Sequence, residues 1–312
     1  MTEKRYQYDI VVITGPTASG KTSLAARLAY RIGGEIISAD SRQVYRGMNL
    51  GTGKDYDDYI VNGVEVPHHL VDIANAGYRY NLFEFQRDFL KVYNDFKNRD
   101  VFPVVCGGSG MYIDSIVSGY RLIEVPPDPE LRDELEKKPM EELISILASY
   151  KSLHNTTDID TKKRVIRAIE IEYFTRRNPA LSTTLPQIKS LVIGVRYDRE
   201  ERRKRISERL KKRMEMGMVD EVKSLLERGT DPETLIYYGL EYKYITLYLT
   251  GKLGYDEMVR DLETAIQRFA KRQMTWFRGM ERKGIVIHWL DGKLPLEEKL
   301  SAVMNLLESP EE

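Results

Sequence analysis

The 312-residue chain carries 48 Lys and Arg against 48 Asp and Glu, so its formal net charge is zero, with 42% hydrophobic and 31% charged residues. At the usual ~100–200 residues per domain this length allows two domains, and the composition excludes collagen-like, low-complexity and disordered classes. One cysteine, Cys106, and four histidines leave no internal disulfide and no Cys/His pairs for a structural zinc site. The N-terminus shows no signal-peptide core and no apolar run approaches membrane-spanning length, so the expectation is a cytoplasmic, monomeric protein without a membrane segment.

In chain order, Tyr8–Thr14 (YDIVVIT) reads as a buried strand, followed by a glycine-rich turn and a helix over Lys21–Ile32. Glu35–Ala39 reads as a second strand. Across Asn81–Arg99 the apolar residues Leu82, Phe85, Phe89, Val92, Tyr93 and Phe96 recur at spacings of three and four, the period of a helix. Val101–Cys106 reads as a third strand, and the run Val125-Pro126-Pro127-Asp128-Pro129 marks a boundary before a charged helical stretch reaching Asn178. Leu191–Val195 returns as a strand, the chain after it is mostly helical, and Ile285–Leu290 reads as the last strand. Strands alternating with helices predict a parallel sheet with right-handed crossovers. The expected fold class is therefore α/β: a phosphate-loop NTPase-like core over 1–120 and 186–312, with C-terminal helices, interrupted by a helical insertion domain over 121–185.

The zero net charge hides a segregation. Between Lys162 and Arg213 there are 17 basic and six acidic residues, an excess of eleven that the rest of the chain must offset. A solvated helix face is the plain reading; asymmetry on this scale points instead to a polyanionic partner.

The strongest motif is Gly15-Pro16-Thr17-Ala18-Ser19-Gly20-Lys21-Thr22, which fits G-x-x-x-x-G-K-[ST] and lies between a strand and a helix, where the physics requires it. The glycines let backbone N–H groups converge on phosphate oxygens, the helix N-terminus adds positive potential, Lys21 adds a point charge and Thr22 offers a hydroxyl to Mg²⁺. Such a loop can hold a phosphate that is transferred, hydrolysed or expelled, and the motif alone does not choose. Asp40 follows the second strand, at the carboxyl end where α/β sheets place their ligands, as a turn residue, a Mg²⁺ ligand or a general base.

The chain resembles the tRNA dimethylallyltransferases (tRNA isopentenyltransferases, IPP transferases). The likeness rests on six ordered motifs: GPTASGKT; Ala39 to Lys54 (ADSRQVYRGMNLGTGK); Pro67-His68-His69-Leu70-Val71-Asp72; Gly107-Gly108-Ser109-Gly110-Met111-Tyr112; Lys163 to Glu170 (KRVIRAIE); and Ala270 to Trp276 (AKRQMTW). The resemblance implies transfer of a dimethylallyl group from dimethylallyl diphosphate to N6 of adenine 37, beside the anticodon, in tRNAs reading codons that begin with U. It implies that the loop Gly15–Thr22 binds the diphosphate, with Mg²⁺ at Thr22, and that Asp40 is the base. Thr17, Lys21 and Arg209 then act on the leaving group, with Thr52 and Lys54 in the matching Gly-Thr-x-Lys stretch. Asp40, Ser41, Arg42 and Gln43 lie around the target nucleotide, and Lys163, Arg164 and Arg167 contact the anticodon stem-loop.

The sequence departs from the family pattern at Gly53 and Asp55, at Gly239-Leu240-Glu241, at Ile266-Gln267 and in a shortened insertion around His154–Asp160. The helix Arg199–Arg213, with nine basic and three acidic residues, is expected to face phosphates as well. Other residues take plainer readings. His68 and His69 read as packing or hydrogen-bonding groups, Cys106 as a buried small residue, and Trp276, Phe277 and the tyrosines at 237, 238, 242, 244 and 248 as core aromatics. Three alternatives stay open: a nucleoside or nucleotide kinase using ATP, a prenyltransferase of free adenine nucleotides, and a non-catalytic RNA-binding protein.

Overall fold

The structure, a computed structural model, describes residues 6–119, 122–153, 159–179 and 186–309. The chain divides into two units, one made of Met1–Gly119 and Gln187–Glu312, the other of Tyr120–Pro186.

The first unit is built on β1 (Ile10–Thr14), β2 (Glu35–Ser38), β5 (His68–His69), β6 (Pro103–Gly107), β7 (Ser190–Arg196) and β8 (Ile287–Asp291), in the sheet order β5-β2-β6-β1-β7-β8. Every pairing in this sheet is parallel, with Val11 opposite Val104 and Leu191, and Val12 opposite Val105 and Val192. Buried on both faces, such strands need unbroken apolar runs, and all five residues of β1 are buried. Successive side chains still point to opposite faces. Ile10 and Val12 join one core with α2 (Leu82–Arg99), α3 (Gly110–Val117), α7 (Arg199–Glu215), α8 (Met218–Glu227), α9 (Pro232–Tyr237), α10 (Leu240–Leu249) and α11 (Tyr255–Arg282). Val11 and Ile13 join another core with α1 (Lys21–Ile32) and α12 (Leu296–Glu308).

The helix predicted over Lys21–Ile32 forms with those bounds, between left-handed Gly20 and Gly33. That predicted over Asn81–Arg99 starts at Leu82 because Asn81 is its N-cap, in a reciprocal capping box with Glu84. Strand ends differ from the pattern where local hydrogen bonds compete. β1 begins at Ile10 because the Asp9 carboxylate takes the Lys189 N–H at 2.7 Å. β6 begins at Pro103 because Val101 N–H closes the end of α2 onto Phe96 O at 2.9 Å. β8 begins at Ile287 because Ile285 N–H bonds Met280 O at 3.2 Å, finishing α11. The two-residue edge strand β5 and the hairpin β3 (Ile60–Val61) with β4 (Val64–Glu65) are too short to leave a period in the sequence.

The second unit packs α4 (Pro129–Glu136), α5 (Met140–Tyr150) and α6 (Lys162–Arg177) around Leu135, Leu143, Leu147, Val165, Ile166 and Ile169. Its polar centre is Glu170, 1% exposed, which accepts from Asp128 N–H at 2.7 Å, from Arg132 at 2.8 and 2.7 Å, and from Arg167. Of the segment His154–Asp160, residues 154–158 lie outside the described residues. No helix among the described residues is long and apolar enough to cross a membrane.

Candidate active site

The phosphate loop, residues 15–22, leaves the carboxyl end of β1 and runs into α1. Its shape excludes side chains at Gly15, where a Cβ would lie 2.4 Å from the Val195 carbonyl oxygen. Ala18 sits in the left-handed region at φ 61°, a conformation that non-glycine residues adopt when the surroundings impose it. Ser19 is 1% exposed and its hydroxyl has no partner among the described residues, an orphaned donor inside a concave backbone. Burial pulls the Lys21 ammonium below the ordinary lysine range; nearby Asp40 opposes that pull, while Arg209 and Arg213 add to it. Beneath the loop, burial raises the Cys106 thiol to about 12, so Cys106 is an inert core residue.

The helix α7 brings a row of cations to this loop. Arg205, Arg209 and Arg213 follow at intervals of four and so share one helix face. Arg205 donates to Ala18 O at 3.1 Å, and Arg209 donates to Thr17 Oγ1 at 3.1 Å across 192 residues of sequence. Arg213 pairs with Asp55 at 3.0 Å and Arg209 with the same carboxylate at 3.7 Å. Burial and the adjacent Arg213 guanidinium bring Arg209 down to about 10. Two departures from the family pattern are explained here together: a Cβ at Gly53 would lie 2.3 Å from an Arg209 nitrogen, and Asp55 supplies the counter-charge to both arginines.

Asp40 stands just past the carboxyl end of β2, facing the same cavity, and accepts from Arg42 N–H at 2.9 Å in a side-chain turn. Neighbouring segments hold this turn in place. Ser109 Oγ accepts from Ser41 N–H at 2.9 Å, and Gln43 donates to Gly53 O at 3.0 Å. A close approach explains Gly107, where a Cβ would meet the Ala39 carbonyl at 2.2 Å.

Two positioning residues were not assigned from the sequence. Gln273 of α11 accepts from Thr17 N–H at 2.9 Å and donates to Gly108 O at 2.8 Å, tying the phosphate loop to the loop after β6. Its place in the AKRQ motif was the available signal. Glu221 of α8 accepts from three successive amides, Asn49, Leu50 and Gly51, at 2.8, 2.8 and 3.1 Å, and from Tyr242 OH at 2.6 Å. It thereby fixes the loop that carries Asp55; no local pattern announces such a contact across 170 residues.

Together these residues line one cavity of about 1200 Å³. Lys21, Arg205, Arg209 and Arg213 form its cationic side; Asp40 and Glu241 are among its carboxylates, with Asp55, Asp57, Asp58, Glu208 and Glu221 also in the lining; Ile236, Leu240, Ile266, Phe269 and Met216 supply apolar wall. Burial holds the Glu241 carboxyl above the ordinary range, against the pull of Arg213 and Arg209. Such a pocket suits a ligand with an anionic head and an apolar tail.

The expected site residues Gly15–Thr22, Asp40, Ser41, Arg42, Gln43 and Arg209 thus converge in space. Lys163, Arg164 and Arg167 lie on α6 in the second unit. There Arg164 pairs with Asp160 at 3.0 Å, and Arg167 is engaged by Glu170 and the Val125 carbonyl. Lys54 is also structural: its buried ammonium donates to Tyr45 O at 2.5 Å and to Asp72, while Thr52 caps back onto Met48 O. His69 hydrogen-bonds Glu35 at 2.7 Å and His68 stacks on Tyr59. Phe277 is a core aromatic, but Trp276 is 38% exposed and covers Gly110. Adjacent helical residues point about 100° apart, and here the Phe277 direction meets the core while the Trp276 direction meets the surface. Tyr238 and Tyr237 divide in the same way, one buried and one 42% exposed.

These features define a phosphate-loop α/β protein whose loop faces a carboxylate at the end of the next strand. The IPP transferase profile matches residues 43–280 and the isopentenyl transferase profile residues 8–64. The chain is 59% identical over 300 residues to tRNA dimethylallyltransferase 2 of Bacteroides fragilis, covering 96% of this chain and 98% of that protein. Its structure is similar to that of the full-length tRNA isopentenylpyrophosphate transferase of Bacillus halodurans, with TM-score 0.69, 30% identity, and 96% and 95% of the two chains covered. A eukaryotic dimethylallyltransferase solved acting on tRNA shares the fold, with TM-score 0.79 at 22% identity, covering 95% of this chain and 79% of that one. The chain belongs to the IPP transferase family.

Proposed function

We propose that this protein transfers the dimethylallyl group of dimethylallyl diphosphate to N6 of adenine 37 in tRNAs reading codons that begin with U. The observation that carries the reading is the meeting of three groups in one cavity: the phosphate loop with its arginine row, an apolar wall, and Asp40. In the reaction the C1–O bond of the allylic diphosphate breaks and the pair of electrons leaves with diphosphate. Lys21, the loop amides of residues 18–21 and Arg209 stabilise that developing charge. The bond from N6 to C1 forms, and Asp40 accepts the N6 proton, which matters because the adenine lone pair is delocalised and poorly nucleophilic. The Thr17 amide is occupied by Gln273, so Thr17 takes part through its hydroxyl, which orients Arg209.

Hard oxygen donors at this place, the Thr22 hydroxyl together with the diphosphate itself, suit Mg²⁺. No trio of His, Cys, Asp or Glu among the described residues chelates a metal without the substrate. Mg²⁺ bound there would supply charge neutralisation at the diphosphate. An adenine must leave its stack to reach Asp40. Lys163 and Arg164 of α6 would hold the anticodon stem-loop by its phosphates, and such an enzyme works in the cytoplasm.

The test is incubation with unmodified tRNA, Mg²⁺ and either labelled dimethylallyl diphosphate or labelled ATP. Label on an adenine of the tRNA from the allylic donor supports the proposal. Transfer from ATP alone replaces it with a kinase, and label on free adenine nucleotides but not on tRNA changes the acceptor.

A further inference from the structure

Tyr237 ends α9 with 42% of its surface exposed, although its neighbour Tyr238 is fully buried. Two guanidiniums stack on that exposed ring: Arg42, from the turn after Asp40, lies 5.3 Å from its centroid and Arg79 lies 5.0 Å from it. No described carboxylate lies within ion-pair distance of either arginine, and neither side chain has a described hydrogen bond. The cluster is built rather than incidental. Tyr238 OH accepts from Gly77 N–H at 2.5 Å and donates to Tyr78 O at 3.0 Å, which clamps the loop carrying Arg79 against α9. Tyr238 also packs on Tyr45 at 4.4 Å, fixing it to the segment that carries Arg42.

Stacking on an exposed ring orients a guanidinium plane while leaving its N–H edge free to bond. Guanidinium forks presented in this way match phosphate oxygens bidentately. Arg42 and Gly239 line the reaction cavity, whereas Tyr237 and Arg79 stand just outside its lining, so the donor diphosphate, held by Lys21 and Arg209, does not need them.

We infer that Arg42, Tyr237 and Arg79 form a phosphate clamp for the RNA backbone, gripping the strand beside the nucleotide that enters the cavity. The inference rests on the tRNA reading proposed above. It assigns to Arg79 and Tyr237 a binding role that neither the motifs nor the phosphate loop indicate.

The experiment measures binding of an unmodified anticodon stem-loop RNA across a KCl series, for the wild type and for Arg79→Gln, Arg79→Lys, Tyr237→Leu and the Arg79→Gln/Tyr237→Leu double variant. Lys97→Gln, near the amino-terminal edge of the sheet, is the control. Losing one phosphate contact lowers the slope of log K against log salt by about one and weakens binding about tenfold at low salt. Arg79→Gln is expected to do this, Arg79→Lys to keep the slope, and the double variant to lose less than the sum of its parts. An Arg79→Gln slope equal to that of the wild type and of Lys97→Gln overturns the clamp. Should the wild type itself bind the RNA without salt dependence and label no adenine, the tRNA reading falls first and the clamp with it.

Discussion

Two basic helices, α6 and α7, lie in the same cationic stretch of sequence yet do different things with their charge. In α7 the arginines at 205, 209 and 213 share a face and turn inward, onto the Ala18 carbonyl, the Thr17 hydroxyl and Asp55. In α6 the arrangement is reversed: a buried carboxylate, Glu170, draws arginines in to hold its own unit together, while Lys163 remains on the exposed surface. Net charge therefore does not report function. The partner of each cation does, and the partner is set by which face of the helix packs against what.

The contrast can be broken most directly on the α7 side. Arg209→Gln should lower kcat/KM for dimethylallyl diphosphate by about 10²–10³-fold, the usual loss for one preorganised charge donor, while keeping the wild-type salt dependence of RNA binding. Asp40→Asn should lower kcat by about 10²–10⁴-fold, as loss of a general base does. Activity within a factor of two of wild type in either variant would separate the arginine row or Asp40 from the chemistry.

On the α6 side the largest effect should be on stability. Burial by itself would raise the Glu170 carboxyl, but the bonds from Arg132, Asp128 N–H and Arg167 overcome it and hold the group below its ordinary value. A depressed folded pKa means stability that is present above the ordinary carboxylate range and lost as pH falls through the folded value. Glu170→Gln should destabilise the second unit by about 3 kcal/mol at neutral pH, the scale for removing one partner of a buried pair. Its difference from wild type, followed by hydrogen exchange in residues 129–177, should shrink as pH falls below the ordinary glutamate range and vanish only once pH is below the depressed folded value. A pH-independent difference would mean that packing, not charge, is lost.

Smaller effects sharpen the comparison. Glu221→Gln weakens three amide bonds to a charged acceptor and should reduce kcat/KM about tenfold through the loop that carries Asp55. Double-mutant coupling between Glu221→Gln and Asp55→Asn tests this, since independent effects would place Glu221 outside the arginine row. Lys163→Gln should do least, lowering the salt slope of tRNA binding by about one. An unchanged slope would leave α6 with a structural role alone.

Much of the core was legible because its signals are local. A phosphate loop needs its glycines, lysine and threonine within eight positions, and a parallel strand buried on both faces needs an unbroken apolar run, so β1, the loop and α1 read directly from residues 8–32. Asp40 was legible as the residue after a strand. What stayed hidden depends on separation in sequence: the bridge from Gln273 to Thr17 and Gly108, the seat of Glu221 on residues 49–51, and the inward face of α7. Trp276 and Tyr237 were read as core because composition cannot say which of two adjacent aromatics faces inward.

The sequence by itself determined the chemistry available: a cradle for phosphate, a carboxylate after the second strand, and a surplus of cations in one segment. Tertiary packing decided which cations meet the cradle and which lock a helix to its neighbours. The reason is physical. Backbone geometry and hydrophobic period act over a few residues, whereas a guanidinium is given its role by whatever anion, carbonyl or ring the fold brings within about 3–5 Å of it.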